Sequence, residues 1–499
     1  MAHPADSIVD EMRAPSAEDR AVILHAYDVA EHAHGTELRK SGEPYIVHPL
    51  AIAKMLASLG MDRDTIVAGI LHDTIEDTPY TVEELEKEFG STVRFLVESV
   101  TKLSKLKYRG LTRHVESLRR LLVATAADVR VIIIKLADRL HNMETIQYVE
   151  ERKQRRIAEE TLEIYVPIAE RLGIGYFKSR LHDLSFKIVD PKGYADADRY
   201  MTEKTEEMQE ALLDAVKVLK RELAQAGVTS FSTETRLKGL ASFAEKLKRK
   251  RGHAERIYDI FAIRVIVPTL EDCYHVLGIV HNTWRPIPGR VKDYIAYPKP
   301  NGYKSIHTAV VTAQGLTVEV QIRTEDMHRD SLFGITTHLG YKQGDADEVT
   351  QDHAAWIRRS VPSLMHVQAV GAPKWLKDLS EALADSEAET FKAALKQDFF
   401  AERIFTFTPH GDAIDLPLGA TPVDFAYAIH SDLGDRATGA VVNGKLVNLE
   451  TPLKNGDHVE IKVRKEGKPN RKWLEFVKTA GARKHIRSAL QEKKPKSKT

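Results

Sequence analysis

Cysteine is almost absent: Cys273 is the single one in 499 residues. An intrachain disulfide and a cysteine-rich zinc site are therefore excluded, and a core position is expected for this thiol. Long apolar runs are missing too. No stretch reaches the roughly 18 apolar residues a membrane span requires. The N-terminus, MAHPADSIVDEMR, is polar and mixed in charge, without the apolar centre of a signal peptide. A reducing, cytoplasmic location is expected. Charge of one sign is not in excess either, because 73 Lys and Arg against 72 Asp and Glu leave a net charge of +1. Nothing global pulls the chain toward nucleic acid or a membrane surface. What is present, 42% hydrophobic and 29% charged residues, is the composition of a globular protein, and the length accommodates about three or four domains.

Residues 1–195 read as helical throughout, with apolar residues at helical spacing, as in Ile66, Val67, Ile70 and Leu71. A long charged helix follows over 200–227 and reads as a connector. From 228 to 345 the texture changes to short β-rich runs (FAIRVIV, TAVV, TVEVQI) among Gly/Pro/Lys/Tyr loops, the pattern of an α+β domain. Short strands return from Arg403 to Val463, with two hairpin signals, Asn443-Gly444 and Asn455-Gly456. One helix is expected around WLEFVKTAGARKHIRSAL in the basic end of the chain. The expected division is multidomain: an all-α domain at 1–195, an α+β domain at 196–345, a helical linker at 346–400, a small β domain at 401–464 and a basic helical tail at 465–499.

The segment DTIVAGILHDTIEDT crowds His72, Asp73, Glu76 and Asp77 beside an apolar stripe. If one helix runs through it, His72 stacks over Glu76 and Asp73 over Asp77. Carboxylates so placed repel one another unless a cation joins them. A second helix, VIIIKLADRLHNMETI, carries Asp138 and Asn142 four residues apart, anchored by Ile132, Ile133, Leu136 and Leu140. In YIVHPL, Pro49 suits a first helical turn, which puts His48 just before it. His48, His72, Asp73 and Asp138 form a two-nitrogen, two-oxygen set suited to Mn²⁺, Fe²⁺ or Zn²⁺, and such an ion acidifies bound water. Glu76 and Asp77, one turn on, are placed to orient or deprotonate that water. A lone His-Asp pair is nonspecific and reads more readily as solvated helix-end residues; the three separated pieces on apolar helices argue against that.

A second concentration of charge lies between Arg236 and Val310, where 14 Lys/Arg face 6 Asp/Glu. Such a patch suits polyphosphate, although much of it (KLKRKRGHAER) also reads as a solvated helix face. In TVEVQIRT, alternation puts Val318, Val320 and Ile322 on the core side and Glu319, Gln321 and Arg323 on the other, a row fit for substrate. Asp259 stands at the mouth of the apolar strand FAIRVIV. Asp259 and Glu319 are positioned to share Mg²⁺ as in nucleotidyl transferases.

The fragments RKSGEPYIVHP, HDTIEDT, VTKLSKL and KLADRLHNM resemble the hydrolase domain of the RelA/SpoT homologue family, an HD-type helical phosphohydrolase. The resemblance implies His48, His72, Asp73 and Asp138 as Mn²⁺ ligands, Glu76 and Asp77 as activators of water, and Asn142, Arg39 and Lys40 as contacts to a guanine nucleotide. A guanidinium at Arg39 can stack on a base. The implied reaction removes the 3′-pyrophosphate from ppGpp or pppGpp, releasing GDP or GTP. The run YHVLGIVHNTWRPIPGRVKDYIAYPKPNGYKSIHTAVV resembles the synthetase domain of the same family, a nucleotidyltransferase-like α+β fold. That domain transfers pyrophosphate from ATP to the 3′-OH of GDP or GTP. By resemblance Asp259 binds Mg²⁺, Glu319 helps hold it and activates the 3′-OH, and Tyr303 stacks on guanine with His307 nearby. Arg236, Lys238 and Lys246 match ATP-phosphate contacts, and Arg290 and Lys292 match the basic motif of bifunctional members.

Two stretches depart from the family pattern. Thr235-Arg236-Leu237-Lys238-Gly239 stands where the family has G-R-P-K-H, and TTHLGYK at 336–342 where it has A-A-H-W-x-Y-K. The first puts the loop shape in question, because Gly permits backbone angles that Thr does not. The segment from Ile404 to Val463 resembles a TGS domain, a small β-grasp fold that contacts tRNA in this family; His430 matches a position near the acceptor end and also reads as a helix-end residue. From Arg464 to Thr499, 13 Lys/Arg outnumber 3 Asp/Glu, so RNA or ribosome contact there would be salt-sensitive; the last residues, KKPKSKT, read as a disordered basic tail. Long members continue into zinc-binding and ACT modules beyond this span. Besides a bifunctional enzyme, two readings stay open: a hydrolase with a degenerate, nucleotide-sensing second domain, and a tRNA- or ribosome-binding stress sensor.

Overall fold

The computed structural model describes residues 3–104, 125, 128–254, 257–299, 301–334, 403–411, 413–464 and 467–491. The expected linker at 346–400, the TTHLGYK stretch and the closing KKPKSKT lie outside these residues. The chain divides into two compact units, Met1–Val97 with Ile133–Gln343, and Glu98–Ile132 with Gly344–Thr499.

The N-terminal part, most of it in the larger unit, is helical: α1 (Asp6–Val9), α2 (Ala17–His34), α3 (Val47–Ser58), α4 (Arg63–Leu71), α5 (Thr74–Asp77), α6 (Val82–Ser104), α7 (Arg130–Glu144), α8 (Glu151–Glu160), α9 (Val166–Arg171) and α10 (Gly175–Val189). Local chemistry starts these helices. Ser16 and Asp19 form a capping box at α2, and Asp62 accepts the Thr65 N–H at the head of α4. Every residue of α4 from Thr65 to Leu71 is buried, so this helix lies inside the bundle rather than on it. A π-helical turn, Thr161–Tyr165, joins α8 to α9. It falls just ahead of Pro167, which has no N–H to give to the helix ladder.

The α+β part follows as α11 (Pro191–Gln225), β1 (Ser232–Leu237), α12 (Leu240–Arg249), β2 (Phe261–Val267), α13 (Leu270–Thr283), β3 (Arg285–Pro286), β4 (Lys292–Asp293), β5 (Ile306–Val311), β6 (Thr317–Thr324) and α14 (Glu325–Phe333). The strands run in the order β1-β2-β6-β5-β3, with β4 also on β5. Only β2 and β6, among these pairings, are parallel. α11 starts earlier than the sequence suggested, at Pro191 behind an Asp190 cap. It is more than a connector, because Ala197, Met201, Leu212, Ala215, Leu219 and Leu223 enter the same core as Ile263, Val265, Val318, Val320 and Ile322.

The second unit holds β7 (Arg403–Phe407), β8 (Ala413–Pro417), α15 (Pro422–Ile429), α16 (Ser431–Asp435), β9 (Ala437–Val442), β10 (Lys445–Val447), β11 (Asp457–Val463), α17 (Trp473–Phe476) and α18 (Ala480–Gln491). Its sheet order is β10-β9-β11-β7-β8, a β-grasp arrangement with α15 laid against it. Asn443 and Gly444, at φ 50° and 80°, make the expected tight turn between β9 and β10. Asn455-Gly456 does not make a hairpin. It leads into β11, whose neighbours are β9 and β7, and it is tied to β7 by Phe405 N–H to Asn455 Oδ1 at 2.8 Å and Gly456 N–H to the Phe405 carbonyl at 2.7 Å. The single helix expected near the C-terminus is two, α17 and α18, and Trp473, Val477, Ala482 and Ile486 pack onto Val423, Ala426 and Tyr427. No helix among the described residues is long and apolar enough to cross a membrane.

Candidate active sites

Two helix ends and a helix face deliver the first site. His48 lies inside the first turn of α3, one residue ahead of Pro49, rather than before the helix. His72 and Asp73 do not ride one continuous helix. α4 ends at Leu71 and α5 begins at Thr74, because Thr74 Oγ1 donates back to the Leu71 carbonyl at 2.7 Å and His72 Nδ1 turns to the Gly69 carbonyl at 2.9 Å. Glu76 and Asp77 remain one turn from Asp73, both donating N–H to its carbonyl at 3.0 Å. Asp138 comes from α7. Donor atoms of His48, His72 and Asp138, all buried, lie within 4.8 Å of one another. Asp73 closes on this group, its Oδ2 3.0 Å from His72 Nε2 and 3.7 Å from His48 Nε2.

Both carboxylates of the cluster are held ionised. Burial opposes ionisation of Asp138, yet Lys135, with Nζ at 2.6 Å, and the two histidines hold its pKa well below the ordinary value. Asp73 is likewise depressed, burial being overcome by His72. Burial pushes His48 down, toward the neutral form that ligates metals. Two imidazoles and carboxylate oxygens in a buried cluster fit one borderline divalent ion. The carboxyl of Asp77 is pushed up, by burial first and then by Asp73 and Glu37.

Several contributors escaped the sequence reading. Tyr45 donates to Asp73 Oδ2 at 2.7 Å, reaches Asp77 at 3.5 Å, and stacks on His34 with ring centres 4.2 Å apart. His141 has its Nδ1 2.8 Å from His48 Nδ1 and 2.7 Å from Arg39 Nη1. Arg39 Nη2 also donates to Asn142 Oδ1 at 3.1 Å, and Asn142 Nδ2 donates to Asp138 Oδ1 at 2.5 Å. Arg39, Asn142 and the metal-capable cluster thus form one bonded group, with Lys40 exposed beside it. The one available signal was the helical spacing of His141, three residues after Asp138.

The second site lies on one face of the six-stranded sheet. Registers align Arg236 with Ala262, Ala262 with Glu319, Arg264 with Gln321, and Gln321 with His307. Asp259, just ahead of β2, is clamped by Lys238 at 2.8 Å and by Lys246. Burial would raise its pKa, but the two lysines bring it down to about 2. Glu319 is also brought to about 2, burial being overcome by His307, at 3.3 Å, and Gln321, which donates at 2.6 Å. Both carboxylates are thus ionised oxygen donors of the kind Mg²⁺ takes.

Tyr303 Oη is 2.7 Å from His307 Nε2 and accepts from Arg323 Nη2 at 2.8 Å. Arg323 also donates to Gln321 and to Ser331, and only 1% of it is exposed. It braces Tyr303 from within, whereas the sequence row suggested a surface facing substrate. Arg290 sits over the Tyr258 ring at 4.9 Å, and Lys292 pairs with His307 across β4 and β5. Arg264, on the same face and bonded to Glu234 at 2.6 Å, was missed because FAIRVIV reads as a core strand. The doubt about Thr235 falls away: it pairs with Ile263 in β1, extended backbone that needs no glycine. In the second unit His430 is exposed at the junction of α15 and α16, its Nδ1 accepting the Asp432 N–H at 3.2 Å.

Known families match these three regions in turn. Residues 26–175 match the HD domain, 235–346 the region found in RelA / SpoT proteins, and 404–463 the TGS domain. A GTP pyrophosphokinase of Myxococcus xanthus is 43% identical over 479 residues, 95% of this chain and 61% of that protein. A GTP pyrophosphokinase of Streptomyces coelicolor is 45% identical over 472 residues, 93% of this chain and 55% of the other. The bifunctional (p)ppGpp synthase/hydrolase SpoT of Escherichia coli is 42% identical over 475 residues, 95% of this chain and 65% of that one. The chain therefore spans a little over half to about two thirds of the relatives it matches. With a bonded His/His/Asp centre in the HD region, paired carboxylates in the RelA / SpoT region and a β-grasp TGS unit behind them, the chain belongs to the RelA/SpoT homologue family.

Proposed function

We propose that this chain both hydrolyses and synthesises (p)ppGpp, using the helical site for removal of the 3′-pyrophosphate and the sheet site for its transfer from ATP to GDP or GTP. The observation that carries this reading is the presence of two separate acidic centres, each with its own cationic partners, in one unit. His48, His72, Asp73 and Asp138 would hold Mn²⁺, and Asp259 and Glu319 would hold Mg²⁺. When bound, these ions supply an acidified water at the first site and neutralisation of phosphate charge at the second.

The chain's own groups do the rest. Asp77, with its raised pKa, accepts and returns a proton near Asp73, while Glu76 orients the attacking water. Arg39 moves from His141 and Asn142 onto the guanine face, and Lys40 and Asn142 hold the nucleotide. At the second site Lys238 and Lys246 exchange Asp259 for the ATP phosphates, joined by Arg236. Arg290 and Lys292 neutralise the acceptor diphosphate. Tyr303 stacks on guanine, held by Arg323, and Glu319 with His307 takes the proton from the 3′-OH. The TGS unit, with His430 exposed and a basic flank, offers a salt-sensitive surface for tRNA or the ribosome.

The test uses an Asp73→Ala variant, in which hydrolysis is expected to be lost, incubated with ATP, GDP and Mg²⁺ and resolved by anion exchange. Formation of ppGpp with an equal amount of AMP supports the bifunctional reading. No product, from protein that folds and binds GDP, reduces the second domain to a nucleotide sensor.

A further inference from the structure

His141 has no part in the chemistry above, yet it stands where two key side chains meet. It is 9% exposed on α7, and its partners come from 93 and 102 residues away in the chain. Both partners face the same atom: His48 Nδ1 lies 2.8 Å and Arg39 Nη1 2.7 Å from His141 Nδ1.

A ring nitrogen of neutral imidazole either carries a proton and donates or lacks one and accepts, whereas a guanidinium only donates. Arg39 therefore requires His141 Nδ1 to be an acceptor, which sends the His141 proton to Nε2. His48 Nδ1, facing the same nitrogen, can bond to it only as a second donor that shares its one lone pair with Arg39. A neutral His48 protonated at Nδ1 keeps its lone pair on Nε2, the atom that lies 3.4 Å from Asp138 Oδ1 and 3.7 Å from Asp73 Oδ2. The opposite tautomer would turn an N–H toward these carboxylates and bond to them, leaving no nitrogen for a cation. His72 meets the same requirement through the main chain, with Nδ1 at 2.9 Å from the Gly69 carbonyl. At His48 the acceptor is another side chain, whose own state is set by a third.

We propose that His141 is the positioning residue that fixes His48 in its metal-ligating tautomer, and that Arg39 dictates the direction of the His48–His141 hydrogen bond. The inference rests on the reading of His48 as a metal ligand. It also gives Arg39 two successive tasks, since the guanidinium that prepares the empty centre is the one expected to leave for the nucleotide base once an ion holds His48 in place.

The experiment is a Mn²⁺ titration of the metal-stripped 499-residue chain by calorimetry. An Asp259→Asn background confines binding to the first site. His141→Leu is expected to weaken Mn²⁺ binding about 10- to 100-fold, the usual effect of losing an outer partner of a ligating histidine. His141→Asn, whose Oδ1 can stand where Nδ1 stood and accept, is expected to recover most of that loss. Arg39→Met, which frees Nδ1 to adopt either form, is expected to weaken binding by a smaller factor. The proposal is overturned if folded His141→Leu protein binds Mn²⁺ as tightly as its parent, or if the Asn and Leu variants lose affinity equally, which would make His141 a packing residue. Unchanged affinity in Arg39→Met would remove Arg39 from the chain of hydrogen bonds. Absence of Mn²⁺ binding in the parent itself would instead defeat the underlying reading of the centre.

Discussion

Cys273 is wholly buried on α13, and its thiol is pushed up to about 12, by burial first and then by Asp272 and Glu271. A raised thiol pKa keeps the group neutral at pH 8, so the reactive thiolate is scarce as well as shielded. Native protein is expected to leave a thiol reagent unconsumed at pH 8, and unfolding in guanidinium to release one thiol per chain. Rapid labelling of the native protein would put Cys273 outside the core. Its burial was legible from the sequence because a single Cys can form neither an intrachain disulfide nor a cysteine-rich zinc site, which leaves a core position. His48, His72, Asp73 and Asp138 stood out for another reason, as polar residues set against apolar stretches in three separate segments, and the structure brings them together. His141, Tyr45 and Arg264 did not. Their partners lie 93, 28 and 30 residues away, and local pattern carries no information about such pairings.

Helix ends were the weakest part of the reading, and the reasons are specific. Periodicity continues through His72 and Asp73, but the helix stops there, since Thr74 Oγ1 and His72 Nδ1 compete for carbonyls of the last turn. Near the C-terminus, buried Asp424 accepts the N–H groups of Lys478 and Thr479 at 2.9 and 2.8 Å and so splits WLEFVKTAGARKHIRSAL into α17 and α18. The start of α12 depends on a similar carboxylate. Asp183, on α10, accepts the Ala241 N–H at 2.9 Å, and a Cβ on Gly239 would meet Asp183 Oδ2 at 2.8 Å. Gly239 has φ −61°, so space, not backbone strain, calls for glycine where the family pattern has histidine. Gly239→His is expected to push Asp183 off the helix start and to loosen α12, which carries Lys246. Loss of such a cap costs about 1 kcal/mol of helix stability, and a raised KM for ATP is the expected consequence. Steady-state synthesis kinetics would show this, and an unchanged KM would mean that the cap does not govern how Lys246 is presented.

Under the proposed function, two opposed reactions would consume ATP without result unless one site restrained the other, and within the larger unit the two regions meet at close contacts. A Cβ on Gly334 would run into the Leu172 carbonyl and the Gly173 main chain, and one on Gly175 would run into the Ser331 carbonyl. Asn301 Nδ2 donates to the Glu170 carbonyl at 3.0 Å, so the loop bearing Tyr303 rests on the end of α9. Ser331 in turn accepts from Arg323, which braces Tyr303. From α9 the contacts continue through the π-helical turn, where Tyr165 lies under Arg139 at 4.3 Å, to α7 and Asp138. A shift at Tyr303 can thus be passed toward the metal-capable cluster through the close main-chain approaches at Gly334 and Gly175 and the side-chain contacts of Asn301 and Arg139. Saturating GDP is expected to slow alarmone hydrolysis by about fivefold or more, the lower end of ordinary coupling energies. Gly334→Ala forces these contacts apart and also strains a backbone at φ +53°. It is expected to leave each reaction measurable alone while shrinking the GDP effect on hydrolysis. Hydrolysis that ignores GDP in the parent protein, after product inhibition is subtracted, would mean the sites act independently. A GDP effect that survives undiminished in Gly334→Ala would mean that the coupling runs by another route.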